Sequence, residues 1–168
     1  RRALVATGAR PAVPDLPGLA EVGFLTSETV FQLTDLPRRL AVIGGGPIGC
    51  ELAQAFARFG SQVTQLVRGH HLLALEEAEC AGVVQKALEA DGVRVVNDCR
   101  LLGFQRPQRS KVVQFELDGN QHQLPVDEIL VAAGRTANVQ GLGLEGAAVA
   151  FSPRGIAVDD RLRTSNPR

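Results

Sequence analysis

The stretch VIGGGPIGCELAQAFARFG, residues 42–60, decides the fold. An apolar run that ends at Ile43 is followed by glycines spaced G-x-G-x-x-G and then by apolar residues at helical spacing. Pro47 suits the first turn of a helix, because the amide hydrogen it lacks would have had no helical partner there. Gly60 stands where a glycine commonly follows a helix. We therefore predict a strand, a tight glycine turn and a helix over 47–59.

The alternation continues after this unit. Apolar runs bounded by turn residues predict a strand at 63–67, a helix at 76–90 and a third strand at 93–96. A β-α-β-α-β order forms a parallel sheet with right-handed crossovers. The predicted fold class is therefore α/β, a Rossmann-like parallel sheet with the glycine loop at its centre.

The pattern changes after the third strand. Short runs at 101–106, 111–117 and 122–124 predict antiparallel strands, and Asp118-Gly119-Asn120 predicts a tight hairpin turn. The apolar run at 128–133 predicts a strand that returns to the parallel sheet. We therefore expect an antiparallel β segment inserted into the Rossmann-like fold.

The flanks are less regular. We predict a strand at 3–7 that ends at Gly8, then an extended, proline-rich connector over 9–20. Ser27 is placed to cap a short helix. A further hairpin is predicted around 152–155, where Ser-Pro-Arg-Gly separates two short runs.

Composition excludes several classes of partner. The 168 residues are 45% hydrophobic and 21% charged, with a formal net charge of zero and no Trp or Tyr. A nucleic-acid surface built on stacked bases is therefore not expected. No apolar run is long enough to cross a membrane, and no signal peptide is recognisable. We predict a soluble cytoplasmic protein.

The sulfur-containing residues carry two expectations. Cys50, Cys80 and Cys99 match neither C-x-x-C nor a zinc spacing, so we predict free thiols and no metal site. The chain contains no methionine and opens on Arg1-Arg2. We expect it to be a piece of a longer protein, with a processed or engineered start as the alternative.

The glycine loop has the arrangement that binds a pyrophosphate. Gly44 permits the tight turn, Gly46 lets a phosphate approach the backbone, and Gly49 lets the helix lie close to the sheet. The helix start adds free N–H groups and a positive dipole end. A packing turn without a ligand is the alternative. The predicted loop residues are Gly44, Gly45, Gly46, Pro47, Ile48 and Gly49.

The end of the second strand bears on the choice of dinucleotide. An NAD site has an acid there to bind the ribose 2′-OH, but this strand ends in Arg68 and no carboxylate follows before Glu76. A guanidinium binds a 2′-phosphate, with His70 or His71 assisting, so NADP is predicted over NAD. The alternatives are a solvated arginine and exposed imidazoles. FAD fits this loop poorly, since its ribose also prefers an acid.

Three further segments carry a family resemblance. LVATGARP at 4–11 resembles the "ATG" segment of two-dinucleotide flavoproteins, and ILVAAGRTAN at 129–138 resembles their GR-x-P-N segment. GIAVD at 155–159, followed by RTSNP at 163–167, resembles the run that leads into their second flavin motif. With the glycine loop, these segments make the chain similar to the pyridine nucleotide–disulfide oxidoreductases. GCELAQAFARFGSQVT at 49–64 is most similar to the mercuric reductase branch.

The resemblance implies a domain organisation. Residues 1–10 would be the tail of an FAD-binding domain, 11–138 the NAD(P)-binding domain, and 139–168 a return into the FAD-binding domain. The parent enzyme would pass hydride from NADPH to FAD, then electrons to a disulfide and an acceptor. Its FAD-binding and dimerisation domains would be the partners of this chain, in a homodimer.

The resemblance also implies roles for single residues. Thr7 and Gly8 would lie beside FAD, Glu51 would pair with a lysine of the FAD domain, and Gly134 and Arg135 would lie near the nicotinamide. The alternatives are a strand-ending turn at Thr7-Gly8, a favourable helix-start charge at Glu51, and a structural tie to carbonyls at Arg135. No residue of this chain is predicted to be catalytic.

The chain departs from the family pattern in several ways. Ala137 replaces the usual proline, and the C-x-x-x-x-C redox pair is absent. A flavoprotein reductase without the redox disulfide, of the ferredoxin- or rubredoxin-reductase kind, therefore stays open as an alternative. So do a non-catalytic dinucleotide-binding module and a purely structural domain.

Overall fold

The structure is a computed structural model that describes residues 2–107 and 110–167. It divides into two compact units. The first spans Val13–Gly134, and the second is formed by the described residues up to Ala12 and from Arg135 onward. The elements are β1 (Ala9–Pro11), α1 (Leu19–Val22), β2 (Arg39–Ile43), α2 (Pro47–Arg58), β3 (Gln62–Leu66), α3 (Ala78–Ala90), β4 (Arg94–Val96), β5 (Arg100–Gln105), β6 (Lys111–Leu117), β7 (Asn120–Val126), β8 (Glu128–Val131), β9 (Arg135–Ala137), β10 (Phe151–Ser152) and β11 (Gly155–Ile156).

A parallel sheet forms the centre of the first unit. Its strand order is β4-β3-β2-β8, and every neighbouring pair is parallel. The carboxyl ends of the strands therefore meet at one edge, which is where ligands bind in open α/β sheets. β8 joins the sheet beside β2, with Leu40 opposite Glu128 and Ile43 opposite Val131. The predicted return of this segment is confirmed.

The two faces of the parallel sheet are covered differently. Leu40 and Val42 of β2 lie in a buried cluster with Ala53 of α2 and Leu88 of α3. The alternate residues of β2 lie in a second cluster with the antiparallel strands, which includes Phe104. Since successive strand residues point to opposite faces, one face carries helices and the other carries the inserted β segment.

The inserted segment is a three-stranded antiparallel sheet of order β5-β6-β7. Asp118 and Gly119 connect β6 to β7, and both have positive φ angles, 52° and 75°. A two-residue turn with φ positive at both positions matches the twist of a hairpin. Lys111 at the start of β6 is 4% exposed. Its Nζ donates to Glu128 Oε2 at 2.7 Å and to the Gly23 carbonyl at 2.9 Å.

The second unit contains two short antiparallel strand pairs, of which one is a hairpin. β1 pairs antiparallel with β9, and β10 pairs antiparallel with β11 through the turn at 153–154. The hairpin predicted around 152–155 is therefore present. Arg168, the last residue of the predicted 139–168 segment, and Arg1, the first of 1–10, lie outside the described residues.

Two of the predicted flank elements were wrong. Residues 3–7 form no strand, and Leu4 is 89% exposed, because the pairing with β9 begins only at Ala9. The predicted helix at Ser27 is a turn followed by a single 3₁₀ turn at Val30–Gln32. The α/β class, the parallel sheet and the inserted antiparallel segment are confirmed.

Candidate functional site

The glycine loop lies between β2 and α2, at the carboxyl edge of the parallel sheet. The Gly44 amide donates to the Leu66 carbonyl at 2.9 Å, and the Leu73 amide donates to the Gly45 carbonyl at 2.7 Å. Gly44 has φ +117°, a region that residues with a Cβ rarely adopt. The loop is thus held by the end of β3 and by the segment that follows it.

The glycines differ in what surrounds them. A Cβ at Gly44 would lie 2.4 Å from the Ala132 carbonyl oxygen, and one at Gly49 would lie 2.5 Å from the Gly44 carbonyl oxygen. A Cβ at Gly45 would lie 2.8 Å from Val67 Cγ1, a constraint the sequence did not indicate. By contrast, no heavy atom lies within 4 Å of a Cβ built at Gly46. Fold packing therefore explains three of the glycines but leaves Gly46 unexplained.

The same loop presents unpaired backbone donors. In the described part of the chain, no acceptor pairs with the amides of Gly45, Gly46, Ile48 or Gly49. Those of Ile48 and Gly49 lie in the first turn of α2, where amides have no helical partner. Donors beside open space, at the positive end of a 12-residue helix, fit a phosphate group.

Beneath the loop lies a buried amide side chain. Gln65 of β3 is fully buried, and its Nε2 donates to the Gly44 carbonyl at 2.9 Å. Its Oε1 has no partner among the described residues. The Cys50 thiol lies 3.7 Å from Nε2 and from the Gly45 carbonyl, and burial raises the pKa of this thiol. Gln65, which the sequence analysis did not single out, therefore fixes the carbonyl at the start of the turn.

Glu51 is the fifth residue of α2 and is exposed. The first turn of the helix contains no acidic residue. The alternative of a helix-start charge is therefore weaker than expected, because dipole effects fall off within the first turn. Within residues 2–107 and 110–167, no hydrogen bond or ion pair joins the Glu51 carboxylate to another side chain.

Arg68 follows the end of β3 and is exposed. Arg68 directly follows Val67, whose Cγ1 would lie 2.8 Å from a Cβ built at Gly45. Five residues later, the Leu73 amide donates to the Gly45 carbonyl. No described residue forms a hydrogen bond or ion pair with the Arg68 guanidinium. The predicted cation is thus present beside the glycine loop and has no protein partner there.

The two predicted histidines have different surroundings. His70 Nδ1 lies 2.5 Å from Asp98 Oδ1, and the His70 side chain is 92% exposed. His71 is half-buried, and its Nδ1 donates to the Leu72 carbonyl at 2.5 Å. The end of β3 lacks a carboxylate along the chain but has one nearby in space. Asp98 comes from the segment after β4, and the signal was its position two residues after the end of a predicted parallel strand.

In the second unit, Asn138 ties the start of the chain to the segment around β9. Thr7 Oγ1 donates to the Asn138 carbonyl at 2.8 Å, and the Asn138 amide donates to the Gly8 carbonyl at 3.0 Å. Arg135 Nη2 donates to the Ala9 carbonyl at 2.6 Å, as in the structural alternative. Gly134, the last residue of the first unit, has φ +125°.

Neither a metal-binding cluster nor a membrane-spanning helix is found among the described residues. Within 2–107 and 110–167, no group of three or more His, Cys, Asp or Glu side chains is arranged to hold a metal ion. In the same ranges, no helix has both the length and the apolarity to cross a bilayer. The three cysteines are free, as predicted; Cys50 and Cys99 are buried and Cys80 is exposed.

Known proteins with similar sequence and structure agree with this arrangement. The profile of the family described as pyridine nucleotide-disulphide oxidoreductase matches residues 1–168. The chain is 36% identical over 166 residues to a mercuric reductase of Staphylococcus aureus, covering 98% of this chain and 30% of that protein. It is 38% identical over 165 residues to a dihydrolipoyl dehydrogenase of Bacillus subtilis, covering 98% and 35%.

A solved structure shows the same fold. The HOCl-induced flavoprotein disulfide reductase RclA from Escherichia coli superposes with a TM-score of 0.84 at 34% identity, covering 96% of this chain and 37% of that one. The chain therefore spans about a third of the length of the relatives it matches.

Proposed function

Because this chain belongs to the pyridine nucleotide–disulphide oxidoreductase family, we propose that it binds NADPH and positions the nicotinamide for hydride transfer to FAD. The observation that carries the proposal is the open space beside Gly46, bordered by unpaired amides at the start of α2. The sequence similarity to mercuric reductases favours an enzyme of that type. The residues present fit the diphosphate of a dinucleotide.

The roles of the residues follow from their chemistry. The amides of Gly45, Gly46, Ile48 and Gly49 would donate to the pyrophosphate, which the dipole of α2 also attracts. Arg68 would bind the 2′-phosphate, because its guanidinium is exposed and has no described partner. Bound NADPH and FAD supply the hydride donor and acceptor, while the protein binds and orients them.

The wider proposal concerns the flanks and partners. We propose that Thr7 and Gly8 lie beside FAD, that Glu51 pairs with a lysine of an FAD-binding domain, and that Gly134 and Arg135 lie near the nicotinamide. The second unit would belong to an FAD-binding domain, and further FAD-binding and dimerisation domains would complete a cytoplasmic homodimer. Similarity along 98% of the chain to longer oxidoreductases supports this organisation.

A matched pair of glycine variants tests the site. Neither Gly46 nor Gly82 of α3 has a heavy atom within 4 Å of an added Cβ, and neither has a positive φ. Gly46→Ala and Gly82→Ala should therefore both fold. In calorimetric titrations of the 168-residue chain, Gly46→Ala should weaken NADPH binding by about tenfold or more, roughly 1.4 kcal/mol. Gly82→Ala should bind as the unmodified chain does.

Two results would count against the proposal. Unchanged NADPH affinity in Gly46→Ala would show that no phosphate approaches this backbone. Failure of the unmodified chain to bind either NADPH or NADH would support the alternative that it is a purely structural domain. The choice of dinucleotide has its own test. Arg68→Glu should invert a preference for NADPH over NADH. If the preference survives this change, another residue binds the 2′-phosphate.

A further inference from the structure

We propose that His70 and Asp98 together set the preference for a dinucleotide with a 2′-phosphate. In this arrangement His70 donates a hydrogen bond to the Asp98 carboxylate, so that the Arg68 guanidinium is available to bind the phosphate. The inference rests on the proposed function and adds two residues, from two different segments, to the determinants of cofactor choice.

Backbone hydrogen bonds place Asp98 beside the end of β3. The Asp98 amide donates to the Gly69 carbonyl at 3.0 Å, and the Cys99 amide donates to the Val67 carbonyl at 3.1 Å. These two bonds attach to the residues on either side of Arg68. The segment after β4 therefore runs alongside Arg68, and Asp98 brings a carboxylate to an edge where residues 67–73 contain none.

The side chains at this edge pair in an unexpected way. An arginine and a carboxylate on adjacent segments commonly form a charge-assisted hydrogen bond. Here the Asp98 carboxylate lies 2.5 Å from His70 Nδ1, and Arg68 has no partner among the described residues. A carboxylate only accepts, so His70 Nδ1 is the donor. The imidazole, and not the neighbouring guanidinium, therefore contacts this carboxylate.

The pairing has a consequence for the ligand. A carboxylate without a partner repels a 2′-phosphate and accepts a hydrogen bond from a ribose 2′-OH. It also competes for Arg68. Both effects favour NADH. While His70 donates to Asp98, one side of the carboxylate is engaged and Arg68 faces solvent, an arrangement that favours NADPH.

The test compares NADPH and NADH binding in four forms of the 168-residue chain: unmodified, His70→Ala, Asp98→Asn and the double variant. The His70 side chain is 92% exposed, so its truncation should not affect folding. Asparagine is chosen for Asp98 because this residue has φ +56°, a conformation that Asn tolerates better than Ala. His122→Ala, on the antiparallel sheet, is the matched histidine control.

We expect His70→Ala to weaken NADPH binding by up to about fivefold, the upper end of what an exposed side-chain pair contributes, without weakening NADH binding. The double variant should recover NADPH affinity, because the carboxylate that His70 holds is then absent. His122→Ala should change neither affinity. Asp98→Asn alone should leave NADH affinity within about twofold, which is the usual scatter of a surface change.

Several outcomes would overturn the inference while leaving the proposed function intact. One is tight NADPH binding with the same NADPH-to-NADH ratio in His70→Ala. Another is a loss of NADPH affinity that the double variant does not restore. A third is a large loss of NADH affinity in Asp98→Asn, which would make Asp98 itself the ribose ligand. Absence of binding to both nucleotides would instead remove the proposed function, and this inference with it.

Discussion

Replacing Gly44 by alanine separates two reasons for a glycine at the start of the loop. Gly44 has φ +117°, and an added Cβ would lie 2.4 Å from the Ala132 carbonyl oxygen and 2.8 Å from its carbon. Gly60, after α2, has a similar φ of +105° but no heavy atom within 4 Å of an added Cβ. An alanine at either position would therefore be strained by the backbone conformation, and only an alanine at Gly44 would also be crowded by neighbouring backbone atoms.

The backbone conformation and the crowding contribute separately to the expected loss of stability. A residue held in a sparsely populated φ/ψ region costs roughly 1–3 kcal/mol. Forcing a methyl group into a filled space costs roughly a further 1–3 kcal/mol. The loss of unfolded-state entropy is the same for both substitutions. We expect Gly60→Ala to lower the free energy of unfolding by about 1–2 kcal/mol and Gly44→Ala by about 3–5 kcal/mol.

Urea denaturation measures this difference. The midpoints should shift while the dependence on urea concentration stays constant, because neither change alters the surface exposed on unfolding. Equal destabilisation of the two variants would refute the argument. It would mean that the Ala132 backbone shifts to accommodate the methyl group, and that Gly44 is needed only for its backbone φ angle.

Three further predictions concern ionisable side chains. Glu128→Gln should lower stability in urea melts by about 2–3 kcal/mol, since it leaves the Lys111 ammonium buried without a counter-charge; adding Lys111→Met should recover most of this, and no recovery would contradict the ion-pair account. The Arg39 guanidinium lowers the pKa of the Asp127 carboxyl in the folded protein below its ordinary value of 3.8. The ionised carboxylate therefore contributes its full stabilisation above pH 3.8, and this stabilisation is lost as the pH falls through the lowered pKa. The thermal melting temperatures of Asp127→Asn and of the unmodified chain should converge at that low pH. Thiol reagents should label Cys80 before the two buried cysteines, and equal rates would contradict their burial.

The elements that sequence predicted well are those with local causes. The turn at Asp118-Gly119 needs two positive φ angles, which these residue types tolerate, and the structure has both. The strand ending at Ile43 and the helix from Pro47 are specified by the glycine spacing and by Pro47 itself. The family resemblance rests on the glycine loop together with the segments at 4–11, 129–138 and 155–167, and it is confirmed.

The errors have long-range causes. The apolar run at 3–7 has strand composition, but a strand needs a partner, and the pairing with residues 135–137 begins at Ala9. Asp98 is thirty residues from Arg68 along the chain, and only the parallel register of β3 with β4, which places Leu66 opposite Val96, brings the two edges together. The proximity of Asp98 to Arg68 therefore depends on strand pairing that a single segment does not encode.

The hydrogen bonds that hold the glycine loop have a kinetic consequence. Gly44 and Gly45 are fixed by hydrogen bonds to Leu66, Leu73 and Gln65, while the amides at the start of α2 have no partner among the described residues. A ligand that arrives there does not have to immobilise a mobile segment, so little conformational entropy is lost on association. Encounter and charge attraction, rather than a slow closing motion, should then limit how fast this loop captures an anion.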